Sequence, residues 1–406
     1  MAGAPAGGQF ERDVVVIGGC GHVGLPLAIA FADRGANVGI YDVSTAAVET
    51  VNNGKLPFDE PGAAGVLERV VSEGRLHAST DPSIVGSAEN VVVVIGTPVD
   101  EHLNPNPEAI PKALGGCSDQ FRDGQLLILR STVFPGVTAL VEKMIAGLGL
   151  NIQVAFCPER IAEGKAMTEL FSLPQIVSAR TPEGLARASA LFSRLTETIV
   201  ELVPEEAELA KLFTNVWRYI KFATANQFYM MANDRGLDFE RIRKGLSQDY
   251  PRALDMPGAG FAAGPCLFKD TMQLAAFNNN NFALGHTAMT INEGLPLYLV
   301  SRLEQRFELS SLTVGILGMA FKGESDDIRS SLSYKLKRIL AFKAGKVLTT
   351  DPYVAKDVDP NLLPIEDVVA QSDVLVIATP HPQYRELVTD KPVADIWNIL
   401  GQGVKV

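Results

Sequence analysis

The sequence is short of basic charge, cysteine and histidine, and it holds no long apolar run. Its 36 lysines and arginines are outnumbered by 47 aspartates and glutamates, a net charge of −11. Binding nucleic acid needs a basic face for phosphates, so that class is excluded. A single diphosphate is not, because backbone N–H groups at a helix start hold one locally. No run of about 18 apolar residues occurs, which excludes a membrane helix. The opening MAGAPAGGQF has neither a basic start nor an apolar core and does not read as a secretory signal. Residues 1–12 are expected to be a flexible tail. The four cysteines, Cys20, Cys117, Cys157 and Cys266, lie far apart without CxxC or Cys/His ligand spacing. A reduced, cytoplasmic protein without a metal site is expected.

What is present is a chain of 406 residues, too long for one hydrophobic core. From residue 13 to 203, short β-branched runs (DVVVIGG, ANVGIYD, NVVVVIGTP, QLLILRST, NIQVAFCPE) alternate with helical patterns. From 204 to 304 the strand signal vanishes and long helical patterns follow. From 305 to 406 the alternation returns, in LTVGILGMAF, KVLTTDP and SDVLVIATP. The pattern predicts an α/β protein: two Rossmann-like, doubly wound parallel-sheet domains joined by a central all-helical domain.

The first strand signal, Val14 to Ile17, runs into Gly19-x-Gly21-x-x-Gly24 and then the helical LPLAIAFADRG. Such glycines permit a tight turn, close approach of backbone to a pyrophosphate, and packing of helix on strand. His22 and Val23 lie inside the turn and contribute backbone. Asp42 ends the next strand about 20 residues on, where a carboxylate accepts from both ribose hydroxyls and repels a 2′-phosphate. NAD is therefore expected over NADP.

EEAELAKLFTNVWRYIKFATANQ has a 3.6-residue apolar stripe of Leu209, Leu212, Phe213, Val216, Ile220 and Ala223. Lys211, Asn215 and Arg218 are predicted to share the other side. That side reads either as a solvated face or as a cation and an amide placed to hold an alkoxide or a water. Cys266 follows a loop rich in glycine and alanine, with Lys269 and Asp270 just beyond. A helix start and a nearby lysine favour the thiolate, so Cys266 is the candidate nucleophile. The other three cysteines read as small buried hydrophobes.

Taken in order, these segments resemble the UDP-glucose/GDP-mannose dehydrogenase family, NAD-dependent enzymes that make uronic acids from nucleotide sugars. The likeness covers nearly the whole chain after the first dozen residues. GGCGHVGLPLA resembles the family's cofactor turn and DEPG (59–62) its loop after the second strand. GTP, with Thr97 and Pro98, and STVFPG, with Thr132, are similar to loops that approach nicotinamide and substrate. CPERIAEG resembles the segment that supplies catalytic glutamates, here Glu159 and Glu163, with Arg160 between them. AKLFTN matches the lysine and asparagine of the central helix, Lys211 and Asn215. GFAAGPCLFKD matches the nucleophile loop, and LGMAFKGESDDIRSS the start of the C-terminal domain.

The resemblance implies that the C6 alcohol is oxidised to an aldehyde, captured by Cys266, oxidised again to a thioester and hydrolysed. Lys211 and Asn215 would stabilise oxyanions, and Asp270 with Glu159 or Glu163 would move protons. It also implies substrate contacts from Glu159, Arg160, Lys211, Asn215, Arg218, Arg252, Phe261, Gly264, Phe321 and Lys322, and a cofactor contact from Arg329. Arg252 stands where the family reaches into a neighbour's site, so a homodimer or higher homo-oligomer is expected. The chain departs from the family where Ala262 and Ala263 replace a usual glycine pair, with Pro265 directly before Cys266. ATPHPQY stands where an Asp-His pair is common, which leaves His381 without an assigned role.

Signals for the sugar diverge. CPERIAEG and the short Arg252-to-Cys266 loop resemble the branch acting on UDP-N-acetylhexosamines. AEGKAM and the FKD after Cys266 resemble the UDP-glucose branch. Weighting the catalytic loop, the expected substrate is UDP- or dTDP-glucose, with the acetamido sugar as alternative. A β-hydroxyacid dehydrogenase shares the Rossmann start and the Lys-x-x-x-Asn pair but needs neither Cys266 nor a second α/β domain. A catalytically silent NAD-binding regulator would need none of the reactive side chains.

Overall fold

The computed structural model describes residues 10–97, 99–100 and 104–404. Pro98 lies outside them. The chain divides into two compact units, one ending at Phe213 and the other beginning at Thr214.

The first unit is built on eight strands: β1 (Arg12–Ile17), β2 (Val38–Tyr41), β3 (Leu76–Ser79), β4 (Ala88–Val93), β5 (Leu126–Leu129), β6 (Gln153–Phe156), β7 (Gln175–Ala179) and β8 (Ile199–Leu202). Their order across the sheet is β3-β2-β1-β4-β5-β6-β7-β8. Pairing is parallel throughout except between β6 and β7. The parallel reading therefore needs one correction: a turn of the sheet's far end into mixed pairing, common in large doubly wound sheets. Successive residues of β1 feed opposite cores, Val14 and Val16 one, Val15 and Ile17 the other. Both faces are thus covered, which explains the unbroken apolar runs. Strand order reverses between β1 and β4, the topological switch point where such sheets bind ligands. The strand begins at Arg12, one residue inside the segment expected to be tail.

A helix over Pro204–Asn233 follows, with proline in its first position, where its missing N–H costs nothing. In the second unit come helices Phe239–Ser247, Leu267–Phe277 and Ala283–Glu304. A four-stranded parallel sheet completes it: β9 (Thr313–Leu317), β10 (Lys346–Thr350), β11 (Val374–Ile377) and β12 (Val393–Asp395), in the order β10-β9-β11-β12. Tyr229, Phe239, Leu295 and Leu299 of the helices share one core with Val314 and Ile316 of β9. The helices from Thr214 on and the C-terminal sheet thus share a core within the second unit. No helix among the described residues is long and apolar enough to cross a membrane.

Candidate functional site

The turn after β1 fits a dinucleotide. A Cβ on Gly24 would stand 2.7 Å from Gly19 Cα and 2.8 Å from the Gly18 carbonyl oxygen, so this glycine lets the helix Gly24–Asp33 press on the turn. A Cβ on Gly21 would meet nothing within 4 Å, which leaves open space beside the turn. Val23 precedes the helix and no side chain caps it, so the helix start is open to an anion. Asp42, just past β2, accepts from the Cys20 N–H at 3.0 Å and from the Ser44 N–H at 3.0 Å. Each of its oxygens retains a lone pair for a ribose hydroxyl. His22 packs against Phe58 with ring centroids 4.0 Å apart and the rings tilted by 34°, and sets Nδ1 4.0 Å from Glu163 Oε1. Its ring is engaged after all, although the sequence credits only its backbone.

The loops after β4 and β5 are sewn together. Thr97 Oγ1 donates to the Thr132 carbonyl at 2.6 Å, and the Ile95 N–H donates to Ser131 Oγ at 2.7 Å. Glu208, on the Pro204–Asn233 helix and almost wholly buried, accepts from Gly136 N–H (2.7 Å), Thr138 N–H (2.8 Å) and Thr138 Oγ1 (2.6 Å). It thereby fixes the end of the STVFPG segment to the helix that carries Lys211 one turn later.

Glu159 is occupied structurally. One oxygen pairs with the buried Arg130 guanidinium, and the other accepts from Arg160 N–H (2.6 Å) and Ile161 N–H (2.9 Å). Arg130 also donates to the Cys157 carbonyl (3.1 Å) and Gln175 Oε1 (3.0 Å). Arg160 turns its guanidinium to the Pro174 carbonyl. Glu163, the other candidate glutamate, is partly buried and its Oε1 faces His22 Nδ1 at 4.0 Å. Its segment is held by the buried Glu60 of DEPG, which accepts from Gly164 N–H (3.0 Å) and Ala166 N–H (2.8 Å).

In the second unit, Cys266 is exposed at the start of the Leu267–Phe277 helix, while Cys20, Cys117 and Cys157 are buried. Burial pushes the thiols of Cys20 and Cys157 up to about 12, Cys20 helped by the charge of Asp42, and it raises Cys117 as well. These three are inert at neutral pH. One turn into the helix, Asp270 is fully buried; its Oδ2 accepts from Asn215 Nδ2 at 2.5 Å, and Lys269 Nζ lies 3.1 Å from Oδ1.

The helix face is therefore not the one expected. Lys211 and Asn215 are buried, while Phe213, placed in the apolar stripe, is 53% exposed. Arg218 is exposed and does not join Asn215. Periodicity locates apolar residues, and buried polar positions such as Lys211 and Asn215, the latter bonded to Asp270, carry no such signal. The exposed Arg252 rests over the Tyr250 ring, 5.8 Å from its centroid. Phe261 is buried. Gly264, at φ 100°, accommodates the Phe321 ring where a Cβ would stand 2.7 Å from it, and Lys322 lies over that ring.

The loops at the carboxyl ends of β9, β10 and β11 meet on Asp351. This buried carboxylate accepts from Met319 N–H (2.6 Å), Ala320 N–H (2.9 Å), Tyr353 N–H (2.8 Å) and Val354 N–H (3.1 Å). His381, fully buried, lies 3.0 Å from it through Nε2 and takes the Glu324 N–H at Nδ1 (3.2 Å), which leaves Nε2 as the donor to Asp351. His381, given no role by sequence, thus orients the loop that holds Phe321 and Lys322. Arg329 of the same loop lays its guanidinium along Asp327 (2.6–3.0 Å).

A dinucleotide turn on one sheet and a thiol offered at a helix start in the other unit are features of an NAD-linked dehydrogenase with covalent chemistry. Comparison with known families makes this specific: the NAD-binding domain of the UDP-glucose/GDP-mannose dehydrogenase family matches residues 12–196, its central domain 205–294 and its UDP-binding domain 315–402. The chain belongs to this family of NAD-dependent nucleotide-sugar dehydrogenases. It is 30% identical to a UDP-N-acetyl-D-mannosamine dehydrogenase of Yersinia pestis, over 98% of this chain and 99% of that one. Among solved structures it resembles a UDP-D-ManNAc dehydrogenase from Pyrococcus horikoshii (27% identity, TM-score 0.89, 97% of each chain). It also resembles a UDP-glucose dehydrogenase from Pyrobaculum islandicum (27% identity, TM-score 0.91, 100% of this chain and 99% of that one).

Proposed function

We propose that the protein oxidises C6 of UDP-N-acetyl-D-mannosamine to the carboxylate in two successive NAD-linked steps, with Cys266 as the nucleophile. The observation that carries this is the exposed thiol of Cys266 at a helix start, one turn from the buried Asn215–Asp270 pair. Bound NAD supplies the hydride acceptor for each step. Cys266 Sγ attacks the aldehyde carbon; after the second hydride leaves, water cleaves the thioester and returns the thiol. Lys211 and the Asn215 amide stabilise the oxyanions, Asp270 fixes that amide, and Glu163 accepts protons. Thr132, beside Thr97, positions the reacting end of the sugar.

The choice of sugar departs from the glucose nucleotide that the catalytic loop favours in sequence. UDP-N-acetyl-D-mannosamine dehydrogenases from several bacteria and an archaeon are 27–30% identical to the chain over at least nine-tenths of it. The likeness to the Pyrobaculum UDP-glucose dehydrogenase supports a second reading, UDP-glucose. An acetamido group needs room and a donor for its carbonyl, which a site shaped for a hydroxyl lacks, so the two readings exclude equal turnover. A panel of UDP-sugars with NAD, read at 340 nm with product mass, decides between them. About two NADH per sugar and no free aldehyde are expected. Cys266→Ala should abolish acid formation and leave NAD binding intact; acid formation by that variant would refute the mechanism.

We further propose a homodimer through the central helices. Phe213, Trp217, Phe228 and Met231, all at least 45% exposed, fall within about 60° of one another on the Pro204–Asn233 helix at 100° per residue. An apolar stripe of that length is covered in a stable assembly.

A further inference from the structure

The cysteine loop is held at a point six residues before the thiol by a side chain that no part of the mechanism uses. Asn226 is fully buried. Its Oδ1 accepts from the Gly260 N–H at 2.9 Å, and its Nδ2 donates to the Gly260 carbonyl at 3.0 Å. The same Nδ2 donates to Asn292 Oδ1 at 3.0 Å, and Asn292 donates in turn to the Tyr219 carbonyl at 3.0 Å. Asn292 thereby helps to set which way the Asn226 amide points, because the flipped amide would set its oxygen against Asn292 Oδ1 and its NH₂ against the Gly260 N–H. From the other side Gly260, at φ 151°, is pressed by the Trp397 ring, which occupies the place of a Cβ at 2.2 Å. Trp397 is tethered through Nε1 to the Ala378 carbonyl at 3.1 Å. Gly260 is therefore fixed in all directions.

Asn215 and Asn226 lie eleven residues apart, about three turns, and so on one face of one helix. Asn215 holds the helix four residues after Cys266, at Asp270, and Asn226 holds the loop six residues before it, at Gly260. A fully bonded buried amide pair adds little net stability over apolar residues of the same size, but it specifies one arrangement. We propose that Asn226, oriented by Asn292, is a positioning residue for Cys266: its clamp on Gly260 sets where the loop delivers the sulfur, and so whether the aldehyde is captured before it escapes. This rests on Cys266 being the nucleophile.

The discriminating quantity is how the aldehyde partitions, because loss of folded protein lowers the rate without altering the fate of each turnover. Asn226→Ala and Asn292→Ser are assayed beside the parent with whichever UDP-sugar of the panel turns over fastest. NADH, acid and semicarbazide-trapped aldehyde are all counted. A displacement of about 1 Å at a reacting atom costs on the order of 10²-fold, so acid formation by Asn226→Ala should fall about 10- to 100-fold. NAD binding should be unchanged, aldehyde should appear, and NADH per acid should rise above two. Asn292→Ser should move the same way by less. If both variants release no aldehyde and keep the parental ratio, the proposal is overturned whatever their melting points. If Asn226→Ala does not fold, Asn292→Ser alone decides by the same ratio. Acid formation by Cys266→Ala would instead refute the nucleophile, and the positioning role with it.

Discussion

Gly21 and Gly24 stand three residues apart in one turn, yet alanine should damage them in opposite ways. At Gly24 the new methyl would lie 2.7 Å from Gly19 Cα and 2.8 Å from the Gly18 carbonyl oxygen, both backbone atoms that cannot swing aside. Overpacking of that kind costs about 1–3 kcal/mol. At about 2–4 °C per kcal/mol for a unit of this size, Gly24→Ala should melt about 2–12 °C lower without cofactor. At Gly21 the methyl meets nothing within 4 Å, so the stability of the empty protein should stay within about 0.5 kcal/mol of the parent. The methyl would instead fill the space a pyrophosphate needs. A misfit of about 1–3 kcal/mol weakens NAD about 5- to 150-fold. Scanning calorimetry without cofactor and titration by NADH fluorescence separate the two effects. Parental NADH affinity in Gly21→Ala would refute the assignment of that space to the cofactor, and equal melting losses in both variants would refute the packing argument.

Asn215→Ala removes the donor to the buried Asp270 carboxylate. A loss of about 1–3 kcal/mol in denaturant melts and a fall of about 10²–10³ in kcat are expected; parental kcat would leave Asn215 a purely structural role. Trp217→Glu places a charge in the exposed apolar stripe and should turn a dimer into a monomer by light scattering, an outcome ruled out if the parent is already monomeric. Burial raises the pKa of Asp351, but the hydrogen bonds from His381 and from the Ala320 and Tyr353 amides outweigh it and hold the group below 3.8. A depressed carboxylate contributes stability that is present above its unfolded value and lost as pH falls through its folded one. Asp351→Asn should therefore be less stable than the parent at pH 7, with the gap closing as pH drops below about 3.8. A gap independent of pH would assign the effect to lost packing alone.

The sequence announces strands with a long apolar run and is nearly silent on those whose run polar residues interrupt. DVVVIGG and SDVLVIATP are continuous apolar runs because helices cover both sides of β1 and β11. The missed strands are β3, β7, β8 and β12, in each of which polar residues interrupt a short apolar run, in β7 the buried Gln175 and Ser178. The placement of Cys266 at a helix start, of Asp42 after β2 and of the glycine turn between strand and helix was legible because each is tied to local spacing. Glu208, Arg130, Asn226 and Asp351 were not. Each satisfies backbone groups or charges distant in sequence, and only the folded chain reveals that. Nor does the motif around Glu159 disclose that its oxygens are held by Arg130 and two amides.

The spacing of Asn215 and Asn226 also constrains how this stretch of chain can change over time. One inserted residue between them would rotate the second asparagine by about 100° and advance it about 1.5 Å, tearing it from Gly260 while Asn215 kept Asp270. Even a whole-turn insertion of about four residues would restore the face but carry the clamp about 6 Å along the axis. This interval should therefore hold a fixed number of residues wherever both contacts are kept. Variation in length is expected instead in exposed connections such as 248–258, where no such measure is imposed.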